Sequence, residues 1–266
     1  MKATVVIGGA VVALLVGVGL LAPVVAPYPE GYRDSAHPLA AASAEHRLGT
    51  TEDGTDVLSA LCHGARVALV VGFATVALSV LLGTTIGLLS GYRGGLVDEA
   101  IMRVTEVFLS FPGFLLALLI VFSLGEATTL GVIVALNVTG WAGYARLVRG
   151  QVLTVKRREF VLAAQSLGAS TPRILFVHLL PNVFGPVTVQ ATFGVAGAIL
   201  AEASLSYLGV GPQDATSWGA LLEEGAVLFL KTPALALLSG GALFVTVLGV
   251  NLLGDALRDR LDPKSL

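Results

Sequence analysis

Six long apolar stretches set the terms on which this chain can fold. They lie near residues 4 to 26, 67 to 91, 108 to 125, 128 to 145, 182 to 204 and 233 to 253, and only the fifth contains a charged side chain, Glu202. A helix needs about 20 apolar residues to cross roughly 30 Å of hydrocarbon, and each stretch is near that length. The runs are continuous and rich in Leu, Ala and Gly, which favours spanning helices over the alternating pattern of barrel strands. With 55% hydrophobic and 13% charged residues, the chain is too apolar for an ordinary soluble domain. The expected fold is therefore all-α and integral to the membrane, with six transmembrane helices, of which the third and fourth are shortest. Lys2 followed by an apolar run imitates a secretory signal, but a signal core is about 7–15 residues and Pro27 after Ala26 suits cleavage poorly, so a retained anchor is expected.

Charge decides the orientation. With a cytoplasmic N-terminus, the inner side receives Lys2, Arg93, Arg103, Arg146, Arg149, Lys156, Arg157, Arg158, Arg173, Arg258, Arg260 and Lys264. The outer side keeps only Arg33, Arg47, Arg66 and Lys231. That bias satisfies the positive-inside rule, so both termini are expected in the cytoplasm. Two outer segments, roughly 27 to 66 and 205 to 232, have the composition of surface structure that caps the pathway, meets a soluble partner or simply connects spans. Between the second and third spans, Asp98, Glu99, Arg103 and Glu106 recur at helical spacing, as in an interfacial helix with a solvated face, and Glu99 can pair with Arg103.

The polar stretch EFVLAAQSLGASTPRILFVHLLPN, Glu159 to Asn182, sits on the cytoplasmic side between two spans. EFVLAAQSL is a run of helix formers that Gly168 can stop. Thr171 can cap a second short helix with Pro172 in its first position, and Pro181 marks where that helix must kink or end. The product is a helix-turn-helix elbow. Its spacing, Ala163, Ala164, Gly168, then His178, Leu180 and Pro181, resembles the EAA loop of permease subunits in ABC importers of the dipeptide, oligopeptide and nickel branch. LGTTEDGTDVLSALCHGARVAL, Leu48 to Leu69, is similar to that family's LGTDxxGRDVxSRLxxGxRxSL. GWAGYARLVRGQVL, EASLSYLGVG, SWGALLEEG and NLLGDALRDRLDP stand in the family's order. Three positions depart from the pattern: Leu162 replaces the glutamate that names the loop, Thr55 the usual arginine and Thr51 the usual aspartate.

The resemblance implies a type I permease fold in the cell inner (plasma) membrane, with residues 1–66 as anchor and external segment, 67–266 as the permease core and 154–181 as the coupling loop. It implies a non-catalytic subunit that forms half of a pore for peptides, or for nickel or a related small solute. The expected partners are a homologous second permease, two cytoplasmic ATPases that hold ATP and Mg, an extracytoplasmic binding protein and membrane lipid. The residues it assigns to ATPase coupling are Glu159, Leu162, Ala163, Ala164, Gly168, Ala169, Ser170, Arg173, His178 and Pro181. Val161 and Leu167 extend the contact surface, Arg157 and Arg158 help fix its register, and Glu159 partly substitutes for the carboxylate absent at Leu162.

The residues themselves supply little chemistry. A Walker A loop, H-E-x-x-H and G-x-S-x-G are missing, and GVGLLA at Gly17 lies inside a span, so no cofactor is expected on this chain. Cys62 stands alone, and His37, His46, His63 and His178 are not at metal-ligand spacing, so no metal is expected. Nothing suggests nucleic-acid binding. Gly83, Gly87 and Gly91 form a smooth stripe for close helix approach, within this chain or against another subunit. Glu202 and Trp218 are candidates for the pathway or its external rim, Glu202 because a carboxylate at bilayer depth needs water or a partner. A stand-alone secondary transporter or channel is the rival reading, but such proteins need intramembrane ionisable groups, and Glu202 alone approaches that description. A membrane enzyme ranks last.

Overall fold

The computed structural model describes residues 2–125 and 127–261, which are helical apart from connecting segments and one isolated bridge between Thr50 and Asp56. Lys264 and the last residues of the NLLGDALRDRLDP run lie outside the described residues. The helices are α1 (Lys2–Val25), α2 (Val57–Arg93), α3 (Gly95–Ser110), α4 (Gly113–Leu124), α5 (Thr129–Val155), α6 (Glu159–Ser166), α7 (Thr171–Arg173), α8 (Leu180–Tyr207), α9 (Trp218–Val227) and α10 (Pro233–Leu261), with a π-helical segment, Ile174–Leu179, joining α7 to α8.

α2 is the spine, packing against α1, α5 and α8, while α10 closes the bundle against α1, α8 and α9. It begins ten residues before the second apolar stretch because Asp56 caps it: one carboxylate oxygen accepts from Ser59 N at 2.8 Å and Ser59 Oγ at 2.7 Å. Its 37 residues reach about 55 Å, well past the hydrocarbon layer. The glycine stripe faces α5 of the same chain. A Cβ at Gly83 would stand 2.5 Å from Trp141 O, at Gly87 2.6 Å from Ala145 O, and at Gly91 2.8 Å from Val152 Cβ.

The third span differs from a single straight helix over 108–125. Phe111 is extended and Pro112 follows it, so α3 and α4 meet at 79°. α4 has 12 residues, about 18 Å, too few to cross alone. Among the described residues, five helices are therefore long and apolar enough to span, and six if the bent α3–α4 pair counts as one span.

The segments between α1 and α2 and between α8 and α10 meet in one layer. Glu224 Oε1 accepts from Glu52 N at 2.6 Å, Glu30 Oε1 from Thr216 N at 3.0 Å, and Asp214 from Thr129 N and Oγ1 at the start of α5. Within the first segment, buried His46 bridges two carboxylates, with Nδ1 3.0 Å from Asp56 and Nε2 3.3 Å from Asp34, and stacks on Tyr28. The Asp56 carboxylate holds the His46 imidazole above its ordinary range, and the His37 contact holds the Asp34 carboxyl below its own.

Candidate coupling site

The elbow is built as a complete turn. α6 opens with Glu159 in its first turn, where a carboxylate suits the free N–H groups. It ends at Gly168, whose φ of +82° is the left-handed conformation that glycine adopts without cost. Gly168 N donates to Gln165 O at 2.9 Å and Ala169 N to Ala164 O at 3.0 Å, the paired bonds of a Schellman motif. The next helix starts one residue earlier than Thr171 alone suggests: Ser170 is the N-cap, in extended conformation and without a side-chain cap bond, and Pro172 falls in the first turn. Pro181 neither ends nor breaks the chain's path. Leu180 N reaches back five residues to Leu175 O, and this π register accommodates the proline at the start of α8.

Burial gives the elbow two faces. Val161, Ile174 and Leu179 are at most 2% exposed and join the main core, with Ala169 packed partly against it. Val161 thus faces the bundle and not a partner, since the amphipathic turn of α6 needs one apolar side for anchorage. Phe160, Leu162 and Leu167 are exposed, Leu167 at 88%. Glu159, Ala163, Gly168, Ser170, Arg173 and Pro181 are also exposed, while Ala164 and His178 are half-buried, with the His178 ring 6.3 Å from that of Phe160. The structure therefore brings Glu159 to Ser170 together on one projecting surface, with His178 and Pro181 behind it on the path into α8.

Beside the elbow lies a polar cluster that periodicity alone conceals. Asp98, placed on a solvated face in the sequence, is buried: Arg149 Nε and Nη2 donate to its two oxygens at 3.0 and 2.6 Å, and the Ser90 hydroxyl also donates to it. This fork pins α3 to α5 and α2. Glu99 and Glu106 flank exposed Arg103 at 4.0 and 3.3 Å. At the other end of the bundle, Glu202 and Trp218 are sealed within the chain. Glu202 is 1% exposed and accepts from Ser206 Oγ at 2.7 Å. The Trp218 ring fills the notch left by Gly64, and its Nε1 donates to Leu61 O at 2.9 Å.

A long-helix bundle wound on α2, with a short-helix elbow feeding continuously into a spanning helix, defines a multi-pass membrane permease of the ABC importer class. The family of binding-protein-dependent transport system inner membrane components matches residues 83–265, and the chain belongs to it. It is 37% identical over 259 residues to the oligopeptide transport system permease protein OppC of Bacillus subtilis (strain 168), covering 97% of this chain and 85% of that relative. It is 43% identical over 226 residues to the dipeptide transport system permease protein DppC of the same organism, covering 84% and 70%. Identity to the glutathione transport system permease protein GsiD of Pectobacterium atrosepticum is 38% over 258 residues, covering 96% and 85%. Among solved structures, an amino acid ABC transporter crystallised with histidines matches at a TM-score of 0.55 and 17% identity over 76% of this chain and 94% of that one, which shows the shared fold.

Proposed function

We propose that this permease imports peptides, forming half of a pore with a homologous second permease subunit. An extracytoplasmic binding protein delivers the substrate, and two cytoplasmic ATPase subunits, holding ATP and Mg, drive the cycle through the elbow. The chain itself is non-catalytic and binds no cofactor, and both of its termini face the cytoplasm of the cell whose inner (plasma) membrane it spans. Oligopeptides, dipeptides and glutathione, named for the relatives, share amide-linked backbones, which favours a peptide over nickel.

The observation that carries this reading is the elbow's division of labour. Val161, Ile174 and Leu179 lock it to the bundle while Leu162 and Leu167 project as apolar knobs. A ligand-driven shift of a two-state pore from 1:99 to 99:1 takes about 5.5 kcal/mol of differential binding, which ATP held between the two ATPases supplies and a rigid elbow transmits. Glu159, at the exposed edge of α6, stands in part for the carboxylate missing at Leu162.

The test is Gly168→Asp beside Gly168→Asn, measured as uptake of a radiolabelled dipeptide and as ATPase co-purification. No atom would lie within 4 Å of the new Cβ, and Asp and Asn both tolerate the left-handed region, so the two variants insert and fold alike. Uptake is lost in the aspartate variant and largely kept in the asparagine one. Normal uptake in the Gly168→Asp variant would end the coupling role.

A further inference from the structure

The ends of α2 and α5 that carry the elbow enclose an open cleft of about 450 Å³ lined by Tyr92, Arg93, Lys156, Arg157 and Gln165. Three of the five are cations and none is an acid. Lys156 Nζ donates to Gly91 O at 2.6 Å, which fixes its ammonium at the C-terminal turn of α2, where free carbonyls favour positive charge. Arg93 and Arg157 are exposed and have no carboxylate partner among the described residues. The acids of neighbouring α3 are already committed, Asp98 to Arg149 and Ser90, and Glu99 and Glu106 to Arg103. Gathered cations without a counter-charge call for an anion from outside the chain.

The surface leading to the cleft narrows the class of that anion. Leu82, Ile86, Leu89 and Arg93 fall at i, i+4, i+7 and i+11, on one face of α2, and Leu82 and Leu89 are exposed. An apolar strip that ends in a basic cleft at the close of a spanning helix matches an acyl chain below a charged headgroup. A soluble phosphate would use the cations and leave the strip idle.

We propose that this cleft binds the phosphodiester of an anionic phospholipid. The guanidinium groups of Arg93 and Arg157 take phosphate oxygens, Lys156 adds a fixed charge, and an acyl chain lies along Leu82 to Leu89. The site requires that α2 spans the bilayer and borders the elbow through Arg157 and Gln165, and it holds whichever substrate the importer carries.

Native mass spectrometry of the delipidated importer complex, titrated with phosphatidylglycerol, with phosphatidylcholine of matched chains, or with glycerol phosphate, tests it. Each cation near a membrane surface contributes roughly fivefold, so the Arg93→Gln/Arg157→Gln pair should weaken phosphatidylglycerol retention by roughly twenty- to thirtyfold. Phosphatidylcholine and glycerol phosphate should not displace the bound lipid. Equal retention of the two phospholipids, or displacement by glycerol phosphate, would overturn the assignment. So would a double variant that keeps its lipid but loses its ATPase subunits, since the cleft would then belong to that partner. If the double variant fails to insert, each single glutamine variant is measured alone, and unchanged retention in both has the same consequence.

Discussion

Arg149 and Asp98 offer the sharpest test of what holds the interfacial helix to the bundle. The Asp98 side chain is 13% exposed and takes both forks of the Arg149 guanidinium plus the Ser90 hydroxyl, whereas Arg149 is 35% exposed. The two partners are therefore not equivalent. Arg149→Met leaves a largely buried carboxylate with one hydroxyl donor. Breaking a fully buried pair costs about 3–5 kcal/mol, and here the cost shrinks to about 2–4 kcal/mol because water reaches the arginine side. Asp98→Asn keeps a hydrogen-bond acceptor and frees a cation already near solvent, at about 1–2 kcal/mol. In the double variant most of the arginine penalty disappears, giving a coupling of about 1–3 kcal/mol. Thermal unfolding of the four proteins in one detergent, followed by tryptophan fluorescence, closes the cycle. Strict additivity, or equal losses from the two single changes, would refute the reasoning that a desolvated carboxylate sets the cost.

Three further outcomes follow from other contacts. Gly87→Ala drives a Cβ to 2.6 Å from Ala145 O and 2.8 Å from Val148 Cβ and should cost about 1–3 kcal/mol; Gly143→Ala, with open space around it, should be neutral or slightly stabilising in the same melt, and equal effects would sink the close-packing account. The outer segment should be best protected from amide exchange in a pH window bounded by two groups. His46 contributes fully below its ordinary value of about pH 6.5, and that contribution is lost as pH rises further through its raised folded value, while Asp34 contributes fully above its ordinary value of about pH 3.8, and that contribution is lost as pH falls further through its lowered folded value. Uniform protection of residues 34–56 from about pH 2 to about pH 9, limits that lie outside both ordinary values, would remove the linkage. Glu159→Ala should lower ATPase stimulation without releasing α6, because Val161 keeps the anchor, and unchanged stimulation would leave Leu162 without a compensating carboxylate.

Much of the architecture is written in local chemistry. Apolar length marks the spans, and Gly168 announces the turn that its positive φ realises. What escapes is whatever depends on distant partners or on a competing local preference. Pro112 lies inside an apolar run that satisfies length alone, yet its restriction of Phe111 bends the span by 79°. Asp98 reads as one more charge on a polar face, and only the fold brings Arg149 to it from 51 positions away. The Asp34, His46 and Asp56 network is equally silent in sequence, because its members share no helical or strand period. The family pattern around Asp56 is a usable signal, since a carboxylate immediately before a helix-forming run is a cap candidate.

The path from elbow to outer layer runs through one continuous element. α7, the π segment and α8 follow one another without a loop from Thr171 to Tyr207, and Glu202 with Ser206 sits at the far end. Over 37 residues this amounts to about 55 Å, so a tilt imposed at the Gly168 turn would reach the outer layer as a displacement of the whole rod. Ile174 and Leu179, at the two ends of the π segment, are buried in the core, which anchors it. A helix stop at Pro181 would instead have absorbed the motion locally. The register shift that tolerates the proline thus leaves the backbone helical from Thr171 to Tyr207, and Glu202 at the far end is packed within the bundle.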